Sequence, residues 1–378
     1  MSFVLSEDQQ MLRDTAMAFA RDEMPVSQLR ELRDTGAQGS DPATQAKLAE
    51  LGFFGVLVPE EHGGVEMGMV AIGQIMEAQG RTIASTSLLQ TAVLGASLIS
   101  AAGTQAQKSD WLPKLASGEL SFALALDEGT HHAPLSIATE AESNGQGYTL
   151  NGAKRFVPNG HQADFLILVA RTFGEAGQAH GLTLFLVPKE AAGLTIQPLN
   201  TVDSHGAAHL HLEDVAVADS HVLGPVDGAW EILEPALDRA RIALAAEALG
   251  SAQAGFDMTL DYLQTRKQFG QLIGSFQALQ HRAAKMFTEL ELTRSCIAAA
   301  LTGADANAAN LAELASLAKA RASDLVHLVS NETVQFHGGI GMTDAHDSGL
   351  YMKRARVQEA LYGGASFHRD RFARLNGF

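Results

Sequence analysis

Arg266-Lys267-Gln268-Phe269-Gly270, followed by Ser275-Phe276-Gln277 and then by Gln280 to Met286, is the stretch around which this chain is organised. A charged, amide-bearing helix end with an aromatic plate at Phe269 stops at glycines, and Ser275 is expected to cap a new amphipathic helix. A guanidinium fork beside side-chain amides suits the pyrophosphate of a dinucleotide. The same residues also fit a helix-turn-helix corner carrying a surface arginine, and the fragment alone leaves both readings open.

Outward from that stretch the pattern is helical in long elements. Ala229 to Leu263, Ser275 to Leu301, Asn307 to His337 and Asp347 to Leu361 follow one another, the last closed by Gly363-Gly364. Alanine is abundant and the connections are short, which predicts a bundle of four or more helices with close axes. Residues 6 to about 120 are also helical in period: Met11, Leu12, Ala16 and Phe19 form one stripe, Gly63-Gly64 breaks the chain, and further helices cover Val65 to Gly80 and Ser85 to Ala102. Four or five helices are expected there.

Between these two parts the period becomes two. Phe122, Leu124 and Leu126 alternate, Asn144-Gly145 and Asn151-Gly152 are tight-turn signals, and Phe165 to Ala170 and Leu182 to Val187 are dense apolar strands. The expected organisation is an amino-terminal all-helical domain over 1–120, a small antiparallel β domain over 121–225, and a helical bundle over 226–378. His209 and His211 share one strand face, but no third ligand at useful spacing accompanies them, so no metal site is assigned.

Composition narrows the function classes. With 378 residues, 46% apolar and 19% charged, the chain is ordinary for a globular protein with a sizeable core. A formal charge of −16 argues against nucleic acid or an anionic membrane as partner, so an anionic ligand would need local arginines. The single cysteine, Cys296, allows no internal disulfide and fits a reducing compartment. Ser6-Glu7-Asp8-Gln9 opens an amphipathic helix rather than a signal sequence, so a cytoplasmic location is expected. The uncharged run Thr82 to Gln107 carries Ser85, Thr86, Ser87, Gln90, Thr91 and Ser97, and reads as a buried bundle helix rather than membrane insertion.

Arg266-Lys267-Gln268-Phe269-Gly270 with Phe276-Gln277, and with Gln335, Gly338 and Gly339 downstream, resembles the acyl-CoA dehydrogenase family of flavoproteins, and the order helix, small β, helix bundle matches along nearly the whole chain. The resemblance implies that Arg266, Gln268, Phe269, Phe276, Gln277, Gln335, Gly338 and Gly339 reach across a dimer to hold a neighbour's FAD. It also implies an acyl-CoA substrate and electron-transferring flavoprotein as acceptor; Arg241, with Arg266 a local cation for such an anionic ligand, reads equally as a substrate-side residue or as a structural one paired on its helix face with Asp238. In the family a glutamate removes the α-proton of the thioester as hydride leaves the β-carbon for flavin N5.

The chain departs from that pattern where the chemistry is done. The glutamate's usual run is here Tyr362-Gly363-Gly364-Ala365, and the second location some relatives use is Ala240, in Asp238-Arg239-Ala240-Arg241. No catalytic residue is therefore assigned. The flavin-side loop Thr-Glu-Pro-Gly-x-Gly-Ser is replaced by Asp127-Glu128-Gly129-Thr130-His131-His132, and Trp-Ile-Thr by Phe156-Val157-Pro158, which removes a hydroxyl donor. Gln is replaced by Phe367. These differences point to a non-catalytic subunit of a heteromeric enzyme, a heterotetramer by resemblance, that shares FAD with a homologous catalytic chain and acts on a bulky, steroid-like or dicarboxylic acyl-CoA. The alternative is a self-sufficient homomer of desulfinase-like or monooxygenase-like chemistry, with His131, His132 or Glu128 as replacement base.

Overall fold

A computed structural model describes residues 4–37 and 39–378. The amino-terminal helices are α1 (Glu7–Glu23), α2 (Val26–Asp34), α3 (Pro42–Glu50), α4 (Gly68–Arg81), α5 (Ala96–Ala102) and α6 (Gln105–Ala116). The strands are β1 (Phe122–Ala125), β2 (Glu140–Ser143), β3 (Gly147–Pro158), β4 (Phe165–Arg171), β5 (Leu182–Pro188), β6 (Leu194–Leu199), β7 (Ala207–Ala218) and β8 (Val222–Leu223). The carboxy-terminal part contains α7 (Trp230–Thr265), a ribbon of β9 (Lys267–Gln268) and β10 (Gln271–Leu272), then α8 (Gln277–Asp305), α9 (Leu311–His337), α10 (Ser348–Ala360) and α11 (Ala365–Leu375). Helical, β and helical regions follow in the expected order.

The contacts divide the chain into two compact units. One comprises Leu32–Gly68 and Ser85–Ala240 and contains the sheet. Its strands run β6-β7-β3-β2-β4-β5-β8, with β1 added to β4 in parallel. Alternate residues such as Leu150, Leu166, Leu168, Phe185, Leu210, Leu212 and Val215 meet in its core. At Asn144-Gly145 the chain turns as expected: Asn144 N–H donates to Gly147 O at 3.0 Å and Gly145 takes φ +83. Asn151-Gly152 is not a turn but lies inside β3, where the register slips between Leu150 and Gly152. A Cβ on Gly152, at φ +151, would stand 2.6 Å from Thr139 Oγ1, so the glycine serves a bulge against a close neighbour.

The buried run of the same unit is helical, but as a π-helical stretch, Leu89–Gly95, that continues into α5. Its polar residues are spent on backbone: Gln90 Oε1 accepts Leu124 N–H at 3.1 Å, and Thr91 Oγ1 accepts Phe122 N–H at 3.1 Å. Among the described residues no helix is long and apolar enough to cross a membrane.

The other unit comprises Met1–Glu31, Met69–Ala84 and Arg241–Phe378. Ser6 and Gln9 form the capping box that starts α1, but Met11 is 65% exposed and the stripe is carried by Ala16 and Ala20. Where α4 meets α7, glycines let the backbones touch: a Cβ on Gly80 would be 2.0 Å from Glu247 O, and one on Gly250 would be 2.0 Å from Glu77 O. Beside this crossing the buried Glu247 carboxylate accepts from Arg354 Nη2 (2.6 Å) and Gln358 Nε2 (2.9 Å), so the interior charge is paired. The elements that the sequence did not mark include the edge strand β6, the ribbon of β9 and β10, and the last helix α11, which starts immediately after the glycine pair.

Candidate functional site

Gly363 lies in the connection between α10 and α11, at φ +102, beside Tyr362 at φ +55. Buried basic side chains converge on this turn. Lys319, from α9, donates to the last carbonyls of α10, Gln358 O (2.9 Å) and Glu359 O (3.2 Å), and also to Gly363 O (2.9 Å) and Ser323 Oγ (3.0 Å). An ammonium there meets the negative end of the α10 dipole. Burial, reinforced by the Arg241 charge and only partly offset by Glu359, pushes the Lys319 amine down to about 7. Tyr362 O accepts from Arg241 Nε at 3.3 Å and from His368 Nε2 at 3.0 Å. Burial, with Arg241 and Lys319 close by, pushes the His368 imidazole down to about 2, so it stays neutral. Arg241 is 1% exposed and Ala240 is fully buried.

The loop after β1 sorts the three replacement candidates. Glu128 accepts Ala138 N–H (2.7 Å), Thr139 N–H (3.0 Å) and the buried Lys154 ammonium (2.6 Å). Burial alone would raise its carboxyl, but Lys154 and these hydrogen bonds outweigh that and hold it below the usual carboxylate range. Burial in turn brings Lys154 to about 8, with Glu128 opposing the drop. A carboxylate so engaged stabilises the loop and is poorly placed to take a proton. His132 differs, since its Nδ1 pairs with Asp127 Oδ2 at 2.9 Å and its side chain is 3% exposed. His131 is exposed, with Nδ1 3.0 Å from Thr130 Oγ1. On β3, Phe156 adopts φ +49 and donates its N–H to His209 Nδ1 at 3.2 Å, and Pro158 offers neither hydroxyl nor N–H.

The stretch from Arg266 is a hairpin rather than a helix end. α7 stops at Thr265, and Gln268 pairs with Gln271 across a two-residue turn whose central residues, Phe269 (φ +50) and Gly270 (φ +79), are both left-handed. That is the type I′ geometry. A bulky residue rarely accepts such a conformation, and Phe269 does so while 92% exposed, edge-on to Phe276 at 6.1 Å. Ser275 does not cap α8. It sits in a 3₁₀ turn, its hydroxyl donates to Leu272 O at 2.6 Å, and Phe276 occupies the cap position. Arg266, Gln268 and Gln277 are exposed, and Arg266 forms no ion pair among the described residues.

The second half of this surface is the end of α9. Gln335, Gly338 and Gly339 are exposed, and Gly338 takes φ +59. Nothing lies within 4 Å of a Cβ built on Gly339, whose backbone is not left-handed, so this chain's own packing does not demand a glycine there. The His337 ring packs, tilted, between Tyr262 (4.4 Å) near the end of α7 and His346 (4.2 Å), which ties the two halves together. Exposed guanidinium, amides and bare backbone N–H groups are donors suited to an anionic ligand, and Phe269 adds an aromatic face.

The profile of the acyl-CoA dehydrogenase N-terminal domain matches residues 6–119, that of the middle domain 125–215 and that of the C-terminal domain 227–375. The chain belongs to the acyl-CoA dehydrogenase family. It is 34% identical over 381 residues to a probable acyl-CoA dehydrogenase, YngJ, of Bacillus subtilis, covering 99% of each chain. Butyryl-CoA dehydrogenase from Megasphaera elsdenii has a similar structure, with TM-score 0.92, 28% identity and 100% of both chains covered. So does a variant of the Tcur3481–Tcur3483 steroid ACAD, with TM-score 0.88, 32% identity and 98% of both chains covered.

Members of the acyl-CoA dehydrogenase family are FAD-dependent oxidoreductases. On this chain Arg266, Gln268, Gln277, Gln335, Gly338 and Gly339 are exposed, whereas Lys319, Arg241 and His368 hold the buried glycine turn at Gly363. Lys319 and His368 were not singled out from the sequence. A lysine on the apolar face of α9, among Ala315, Ala318 and Ala322, was the available signal.

Proposed function

We propose that this chain is the non-catalytic subunit of a heteromeric acyl-CoA dehydrogenase and completes FAD sites in a homologous catalytic partner. The carrying observation is the asymmetry between an exposed dinucleotide arm, Arg266 to Gln277 with Gln335 to Gly339, and a base position occupied by Gly363. FAD bound by the partner supplies the hydride acceptor for α,β-desaturation of an acyl-CoA, and electron-transferring flavoprotein takes the electrons onward. Arg266 and Gln268 are assigned to the pyrophosphate, and Gly338 and Gly339 offer bare backbone N–H groups. Phe269 and Phe276 provide aromatic faces. Arg241, assigned to the substrate side, acts through the Tyr362 carbonyl that it holds.

The likeness to a steroid ACAD supports a bulky acyl group, steroid-like or dicarboxylic, for the pair. We divide the chain for this role at residues 120 and 225, so that the arm belongs wholly to the carboxy-terminal part.

Arg266→Ala tests the donated arm. A charge-assisted contact is worth roughly 1.5–3 kcal/mol, so flavin held by the partner should bind roughly 10- to 150-fold more weakly in the complex. Unchanged partner flavin would refute the donation. A second reading, a homomeric flavoenzyme with its own base, is favoured by one observation, the partly buried His132–Asp127 pair. In that case His132→Gln abolishes activity of the chain purified alone. Under the heteromer reading the chain alone has no activity to lose.

A further inference from the structure

The glycine at 363 has a plain explanation, a left-handed residue closing α10. At three other left-handed glycines that close helices the space beside Cα is open: a Cβ built on Gly36, Gly52 or Gly377 meets nothing within 4 Å, whereas one on Gly118 meets Ala49 Cβ at 2.6 Å. At Gly363 it meets Phe367 Cδ1 at 2.5 Å, His368 Nε2 at 2.9 Å and Phe367 Cγ at 3.0 Å. The place of a side chain is already taken by two side chains of α11.

Those two are fixed. His368 is fully buried and bonded through Nε2 to Tyr362 O at 3.0 Å, and the Phe367 ring packs edge-on against it at 5.1 Å. The Arg241 guanidinium lies over the Phe367 ring, 5.7 Å from its centroid. Lys319, bonded to Gly363 O at 2.9 Å, holds the turn from beneath.

We propose that Phe367 and His368 form a built-in plug that fills the volume left by the family's catalytic side chain, with Lys319 and Arg241 holding the turn against it. Two consequences follow from that geometry. Gly363→Glu alone cannot rebuild a base, because its Cβ has no room until Phe367 is removed and His368 Nε2 gives way. The missing glutamate also gives an acyl group no additional space at this point, so any widening of the substrate site must come from elsewhere. The plug is a property of this chain by itself and goes beyond the heteromer reading.

A double-mutant cycle on the purified full-length chain, read as thermal midpoint, tests the plug without reference to flavin or partner. Gly363→Ala, Phe367→Ala and the double variant are compared with the native chain. The left-handed strain at 363 is present in both backgrounds and cancels, leaving the contact. With a plug, the loss in Tm caused by Gly363→Ala falls to about half or less once Phe367 is truncated. Equal losses in the two backgrounds would overturn it. If Gly363→Ala fails to fold in either background, a crystal structure of Phe367→Ala decides. A ring-sized cavity against Gly363 Cα supports the plug, and a Gly363 Cα facing solvent with no such cavity refutes it.

Discussion

Lys319 holds a charged head among neutral oxygens in a helical interior, and that placement has a pH signature. Its amine falls from 10.5 in the unfolded chain to about 7 in the folded one. Between those values the unfolded chain binds a proton that the folded chain does not, so folding becomes more favourable as pH rises through that window. Below pH 7 both states are protonated and the cost of burying the charge is fully present. Tm measured at pH 7 and pH 9 should therefore rise, and Lys319→Met should reduce the rise, the remainder coming from Lys154. An undiminished rise in the variant would contradict this placement. Glu128→Gln is the companion case: it leaves the Lys154 ammonium buried without its carboxylate, which costs roughly 3–5 kcal/mol of stability by chemical denaturation. None of this could be read from the sequence, because an isolated lysine or glutamate in a string does not reveal which carbonyls will surround it.

At the scale of elements, the glycines carry the most information. Gly80 and Gly250 let α4 and α7 touch, so alanine at either position should destabilise the fold by roughly 1–3 kcal/mol, the range for overpacking. A neutral result at both would mean that the helices lie further apart. Gly339 is the contrasting case: alanine there should leave the Tm of the chain unchanged and lower the flavin content of a complex with its partner. Long helices and dense strands were legible because their periodicity extends over many residues. Asn151-Gly152 misled because a bulge uses the same residues as a hairpin. Ser275 misled because its hydroxyl found Leu272 O before it could cap α8. The hairpin itself was hidden, since two strands of two residues each have no period to read.

On the scale of the whole molecule, order of domains and family were legible from a few spaced motifs, and the structure and relatives agree with them. The site was legible only as a list of residues kept and lost. Exposure separates the arm from the Gly363 turn. Arg266, Gln268, Phe269, Gln277, Gln335, Gly338 and Gly339 face outward, whereas Arg241, Lys319 and His368 face inward onto a turn that carries no carboxylate. An outward-facing set of donors together with a base-free buried turn is what the proposed non-catalytic subunit requires.

The most direct test is flavin stoichiometry, measured by absorbance of the purified chain alone and after co-expression with its catalytic partner. The expected result is a colourless or substoichiometric chain alone and one flavin for each pair of chains in the complex. A homomer carrying a full complement of flavin would contradict the account.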